Sequence, residues 1–195
     1  MTVIPTIDTA PRPRSRRRTR LIVATLAAAS LAALAWAYFV SPLPRLVYNP
    51  SDSVAVGWYR VDPLARHAGS LSPAMHVGSI VLVPLPAAVA ALAARRGYLP
   101  SRIPLLKPVA AVARQQVCIA EGSVRIDGVS VAAALRIDGR GRPLHTWSAC
   151  RRLRPGELFL LSTTNPASFD SRYFGPVRAD AVLGVAHPLW LETRP

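Results

Sequence analysis

Asn49-Pro50-Ser51-Asp52-Ser53-Val54-Ala55-Val56-Gly57-Trp58-Tyr59-Arg60 is the stretch around which the rest of the chain reads most coherently. It offers two hydroxyls two residues apart, then a glycine and an aromatic pair. A Ser-x-Ser is ordinary turn chemistry when it stands alone. Its weight comes from a residue 54 positions beyond Ser53: among 24 lysine and arginine residues, Lys107 is the lone lysine. Arginine stays protonated in proteins and cannot accept a serine proton, whereas a lysine can once an apolar pocket depresses its pKa. Lys107 has such a setting, Ile103-Pro104-Leu105-Leu106-Lys107-Pro108-Val109-Ala110-Ala111-Val112. The lysine therefore reads as a base, the competing reading being a stray lysine on a solvated loop.

Immediately before this stretch the chain reads as a membrane segment. Residues 1–20 form a basic tail, with Arg12, Arg14, Arg16, Arg17, Arg18 and Arg20 following a short polar segment. Residues 21–40 carry no charge, and about 20 helical residues span a hydrocarbon core. Arginines are retained on the cytoplasmic side, so residues 41–195 are expected across the membrane, and Trp36, Tyr38 and Phe39 fall where an interfacial aromatic belt would lie. The alternative is a cleaved signal peptide ending at Ala35-Trp36-Ala37, although the uncharged run is longer than a usual signal core. The net charge of +14 would also suit a nucleic-acid binder. The densest basic run abuts an apolar segment, however, so the lipid bilayer is the expected partner and nucleic acid is not.

Beyond the span, Ser41-Pro42-Leu43-Pro44 is a stiff exit that ends the helix, and the remaining residues suffice for one domain with a real core. Nineteen prolines against 11 glycines, among short β-branched runs, point to a loop-rich β protein. Strands are expected at 79–83, 109–113, 117–120, 124–126, 129–132, 157–161 and 181–185, with a hairpin turn at Asp127-Gly128 and a loop at Arg140-Gly141-Arg142-Pro143. Residues 86–96 are alanine-rich, with Pro86 at the start and Gly97 after the end, the signature of a short helix.

Cys118 and Cys150 are the two cysteines, both beyond the span. In an oxidising compartment they are expected to form one disulfide; two buried free thiols are the alternative. His67, His76, His145 and His187 are scattered without ligand spacing, so no metal site is expected. The last distinctive block is Ser162-Thr163-Thr164-Asn165-Pro166-Ala167-Ser168-Phe169-Asp170-Ser171-Arg172-Tyr173-Phe174-Gly175-Pro176-Val177, in which Asp170 and Arg172 are spaced to pair and hold the loop.

In order, Ser51-Asp52-Ser53, Lys107 and Ser168-Phe169-Asp170-Ser171-Arg172-Tyr173-Phe174-Gly175 resemble the membrane-anchored type I signal peptidases, most closely their TraF-like branch from conjugative transfer systems. Asn49-x-Ser51-x-Ser53, Gly57-x-Tyr59, Arg96-Gly97-Tyr98-Leu99 and Leu105-Leu106-Lys107-Pro108-Val109-Ala110-Ala111 extend the resemblance over most of the chain past the anchor. It implies a mainly β fold of coiled sheets, shared with LexA-like self-cleaving repressors, plus one N-terminal transmembrane helix and the short alanine-rich helix. It further implies Ser53 as nucleophile and Lys107 as general base. Ser51 would help bind the oxyanion beside the Ser53 backbone N–H, Ser168 would orient the lysine amine, and Asp170 and Arg172 would support the site. Three departures mark this chain: Ala55 replaces a common proline, Ala113-Arg114-Gln115 replaces Pro-Gly-Asp, and Ser162-Thr163-Thr164 replaces Gly-Asp-Asn.

Such a dyad needs no cofactor. For the base to be neutral near pH 7, its pKa must fall from about 10.4 by about 3 units. The resemblance implies a serine endopeptidase of the inner (cytoplasmic) membrane, with a periplasmic catalytic domain that processes, and by one route cyclises, a membrane-inserted pilin precursor. General signal peptidase activity on exported preproteins, and a catalytically silent assembly factor of a secretion apparatus, are the alternatives.

Overall fold

A computed structural model of the chain describes residues 14–39, 46–64 and 75–193. The polar tail, the 41–44 exit and His67 lie outside these residues. The chain divides into two units, Met1–Pro42 and Leu43–Pro195.

Among the described residues the first unit is one helix, α1 (Arg14–Phe39). It begins within the arginines rather than after them, because arginine is itself a good helix former and no breaker separates the basic run from the apolar one. Arg16–Trp36 is long and apolar enough to cross a membrane. The hydroxyls of Thr25 and Ser30 bond back to the carbonyls of Leu21 and Leu26 at 3.0 and 2.8 Å. Such back-bonding leaves those two hydroxyls satisfied within the helix, as a hydrocarbon environment requires.

The second unit is mainly β. In chain order it comprises β1 (Leu46–Asn49), β2 (Gly57–Pro63), β3 (Ile80–Val83), α2 (Ala87–Arg96), β4 (Leu105–Ala111), β5 (Gln116–Ala120), β6 (Ser123–Ile126), β7 (Val129–Ala133), β8 (Cys150–Arg152), β9 (Glu157–Leu160), α3 (Ser171–Phe174), β10 (Val177–Arg178) and β11 (Gly184–Leu191). They build a seven-stranded sheet, β1-β2-β11-β3-β4-β9-β10, and a four-stranded sheet, β7-β6-β5-β8. All named pairings are antiparallel.

The apolar runs that read as strands are those packed on both faces. In β3, Val81 and Val83 join one core cluster while Leu82 joins another. In β9, Leu158 and Leu160 face one cluster and Phe159 the other, so β9 lies against the cores of both sheets. Strand β2 instead alternates, with Tyr59 and Val61 inward and Trp58 and Arg60 outward. Helix α2 ends as its sequence promised: Gly97 is left-handed and its N–H caps the carbonyls of Ala93 and Ala94. The Asp127-Gly128 hairpin is present too, both residues having positive φ.

Two strand expectations need correction. Strand β4 starts at Leu105 instead of Val109, so Lys107 and Pro108 lie within it. Proline fits there because the neighbouring Val109 N–H bonds Ser79, leaving Pro108 to point away from β3; its carbonyl accepts the Leu161 N–H at 3.1 Å. The 181–185 strand does not begin at Ala181, since Ala179–Ala181 is a 3-10 turn and β11 starts at Gly184. A β-carbon on Gly184 would stand 2.6 Å from the Asp62 carbonyl oxygen, so glycine is what lets β11 close against β2 there.

Candidate active site

Ser53 sits in the loop joining β1 to β2, and that loop is held by one buried side chain. Asn49, the last residue of β1, donates from Nδ2 to the carbonyls of Ser51, Val54 and Ala55 at 2.7, 3.1 and 3.2 Å. Its Oδ1 accepts from the Ser51 N–H at 3.3 Å and the Ser51 hydroxyl at 2.9 Å. Buried Tyr59 adds a bond from its hydroxyl to the Ala55 carbonyl at 2.7 Å. At the far end of the loop the Val56 carbonyl accepts the Glu192 N–H at 2.8 Å. There, a β-carbon on Gly57 would fall 2.1 Å from the Trp190 carbonyl oxygen, an approach that only glycine permits. The loop is thus fixed at both ends, with Ser53 buried at 6 % exposure.

Lys107 comes from the middle of β4, opposite Val81 of β3. Strand alternation puts it on the face of Leu105 and Val109, and only 3 % of it is exposed. Its Nζ donates to Ser168 Oγ at 2.6 Å, and Ser168 Oγ lies 3.3 Å from Ser53 Oγ. Two residues distant in sequence therefore meet on one hydroxyl. Burial lowers the Lys107 pKa to about 8; the Asp170 carboxylate opposes this shift and the Arg172 guanidinium assists it. The apolar strand supplies most of the depression foreseen for a base.

Ser168 belongs to the segment before α3, and an ion pair holds that segment. Asp170 and Arg172 are fully buried. The Arg172 guanidinium grips the carboxylate bidentately, Nε to Oδ1 and Nη2 to Oδ2, both at 2.8 Å. Its remaining donors reach the carbonyls of Ala133, Pro166, Ser162 and Asn165 at 2.8–3.3 Å. Asp170 also caps α3 through the Arg172 N–H and accepts the Ser162 N–H at 3.0 Å. Burying two ions costs several kcal/mol each, and only this full set of partners offsets it. Asparagine cannot replace the carboxylate without stranding the guanidinium. The Asp170–Arg172 pair expected from sequence is present, as a buried hub.

Ser53, Lys107, Ser168, Asp170 and Arg172 thus converge. Ser51 shares the Ser53 loop, but the residue is exposed and its hydroxyl donates to Asn49 Oδ1. Cys118 and Cys150 pair across β5 and β8 as a disulfide in the four-stranded sheet. Sequence reading passed over Asn49 as a clamp, though an Asn two residues before a serine is a known turn-forming signal. It also passed over Tyr59, whose inward position in β2 was readable from alternation.

The profile of the signal peptidase, peptidase S26 family matches residues 18–191. A protein described as "Probable conjugal transfer protein TraF" from Sinorhizobium fredii is 34% identical over 94% of this chain and 95% of its own length. A conjugal transfer protein TraF from Agrobacterium tumefaciens is 36% identical over 90% of this chain and 97% of its own. The crystal structure of a signal peptidase I from Enterococcus faecalis V583 covers 56% of this chain and 94% of that one, with 20% identity and a TM-score of 0.35. The family match runs from within α1 to β11 and includes Ser51, Ser53, Lys107, Ser168, Asp170 and Arg172, and the chain belongs to the signal peptidase family, peptidase S26.

Proposed function

We propose that this protein is a membrane-anchored serine endopeptidase with a Ser53–Lys107 dyad that processes a membrane-inserted pilin precursor in conjugative transfer. The observation that carries the reading is the lone lysine, buried in an apolar strand with its amine on Ser168 Oγ and that oxygen beside Ser53 Oγ. The conjugative setting is supported by the relatives described as conjugal transfer proteins, and the pilin substrate rests on the resemblance to the TraF-like branch alone.

With Lys107 neutral, the Ser53 hydroxyl donates to Ser168 Oγ, and the Ser168 hydroxyl donates to Nζ. The Ser53 proton then leaves for the amine as Ser53 Oγ bonds the scissile carbonyl carbon. The carbonyl oxygen becomes an oxyanion, met by the Ser53 backbone N–H and by the Ser51 hydroxyl once that hydroxyl turns from Asn49. One such donor is worth roughly 10²–10³ in rate. The ammonium of Lys107 protonates the leaving amine, and an acyl-enzyme remains on Ser53. Water resolves it as hydrolysis; the precursor's own amine resolves it as a ring. Helix α1 anchors the enzyme in the inner membrane, with the arginines cytoplasmic and the catalytic domain periplasmic, so substrate and enzyme share one bilayer.

Intact-mass spectrometry of a pilin precursor co-expressed with wild type, Ser53→Ala and Lys107→Arg tests this. Processing by wild type alone is expected, and a product one water lighter than the cleaved linear form identifies cyclisation. Processing by all three chains refutes the dyad.

A further inference from the structure

The turn from Ile137 to Pro143 lies outside both sheets, yet it is built as a fixed anchor. Ile137 and Pro143 bridge, and the Asp138 N–H bonds the Arg142 carbonyl at 2.9 Å. The Asp138 carboxylate accepts the N–H groups of Arg140 and Arg142 at 2.9 Å, Nε of Arg142 at 2.7 Å, and the hydroxyl of Tyr98. Burial pushes this carboxyl up, but those donors outweigh it and hold it well below the usual carboxylate range. Arg142 Nη2 also bonds the Arg96 carbonyl at 3.0 Å, while Arg96 Nη1 returns a bond to the Pro143 carbonyl at 2.9 Å. The Arg142 guanidinium lies 5.4 Å from the Tyr98 ring centroid. Tyr98 is therefore held both at its hydroxyl and at its ring.

That ring meets Phe169, the residue between Ser168 and Asp170, with centroids 5.0 Å apart. Phe169 also stacks nearly parallel on Tyr173 at 5.8 Å and meets Phe174 at 5.6 Å. Three aromatic rings thus pack on Phe169, the residue next to the hydroxyl that holds Lys107. The Asp170–Arg172 hub fixes the carbonyls of Asn165 and Pro166 and the backbone from Asp170 onward, and leaves Ser168 and Phe169 between those points. On its other side, Ser168 has its own N–H bond to the Asn165 carbonyl at 3.1 Å. Phe169 bridges this gap, its ring packed among those of Tyr98, Tyr173 and Phe174 beside Ser168.

Resting on the reading of Lys107 as general base, we propose that Tyr98 and Phe169 are positioning residues: the Ile137–Pro143 turn, through Tyr98, fixes Phe169 and thereby the Ser168 hydroxyl that holds the lysine amine. Edge and face contacts among rings are directional, which suits them to holding a neighbour in register. Misplacement by about 1 Å costs on the order of 10²-fold in a reaction that depends on alignment.

The single lysine makes the test independent of any substrate. The full-length chain, labelled with ¹³C-lysine in detergent micelles, gives one lysine side-chain signal whose titration reports Lys107 directly. Wild type is compared with Tyr98→Phe, which keeps the ring and loses the hydroxyl bond to Asp138, and with Phe169→Leu, which loses the ring. Thermal unfolding is followed alongside. In both variants the lysine midpoint is expected to rise, by about half a unit or more in Phe169→Leu and less in Tyr98→Phe, as water reaches Nζ. The double variant is expected to match Phe169→Leu, because the tyrosine hydroxyl acts only through the ring. If Phe169→Leu does not fold, Tyr98→Phe decides. A wild-type midpoint in every folded variant overturns the proposal and leaves the dyad standing. A wild-type lysine that titrates near the ordinary 10.5 overturns the dyad and the proposal together.

Discussion

Replacing Lys107 with methionine should destroy activity and make the protein more stable at neutral pH. The lysine's pKa falls from 10.5 to about 8 on folding, chiefly through burial. At pH 7 it is charged in both states, and the folded state bears the desolvation, a penalty of about 3 kcal/mol. Between about pH 8 and 10.5 the unfolded chain binds more protons than the folded one, so wild-type stability rises with pH through that window. About 2 kcal/mol of the penalty should be relieved by about pH 9.5. Burial raises the hydroxyl pKa of both Tyr59 and Tyr173, so their unfolded-state ionisation begins to oppose folding only near and above pH 10. Methionine fills a similar volume without charge. Lys107→Met should therefore gain about 3 kcal/mol at pH 7, roughly 6–12 °C in Tm for a domain of this size, and lose the alkaline rise. Urea unfolding of the full-length chain in detergent, followed by tryptophan fluorescence at about pH 7 and about pH 9.5, reads both effects. A variant no more stable than wild type at neutral pH, or a wild type equally stable at both values, would refute the reasoning.

The processing rate should climb with pH through about 8, the value at which Lys107 loses its proton; initial rates across a buffer series measure it. Asn49→Ala should strand the loop carbonyls that Nδ2 now serves, costing about 1–3 kcal/mol in denaturant unfolding and slowing processing further through a loosened Ser53. Asp170→Asn leaves the Arg172 guanidinium buried without its counter-ion and should cost about 3–5 kcal/mol by the same assay. Joint replacement of Cys118 and Cys150 by serine opens a loop of sequence separation 32 and should cost about 3 kcal/mol. Processing of the precursor at temperatures below the lowered Tm should nevertheless continue, since the bond staples the other sheet.

Local signals carried as far as local physics reaches. Pro86 and Gly97 bounded α2 because they act through their own dihedrals. Asp127-Gly128 named its hairpin for the same reason. Pro108 concealed the start of β4, since its harmlessness depends on which way that residue faces in a ladder with β3. Ala181-Val182-Leu183 looked like strand because apolar runs look alike whether they pair or turn. In the site, a lone lysine was visible by contrast with the arginines, and its apolar neighbours foretold its lowered pKa. The grip of Asn49 on its loop was not visible, because an amide's partners are set by the path of the backbone. Nor was the contact of Tyr98 with Phe169, which requires knowing how distant segments pack.

Strand β11 lies between β2, which leads from the Ser53 loop, and β3, which carries the chain toward Lys107 on β4. Within the seven-stranded sheet, the half beside Ser53 and the half that carries Lys107 are joined through β11, the last strand among the described residues. In order of synthesis, Ser53 and Lys107 both precede β11, the strand that joins their halves of the sheet. On the dyad reading, the two groups should come into register only once β11 has paired with both β2 and β3.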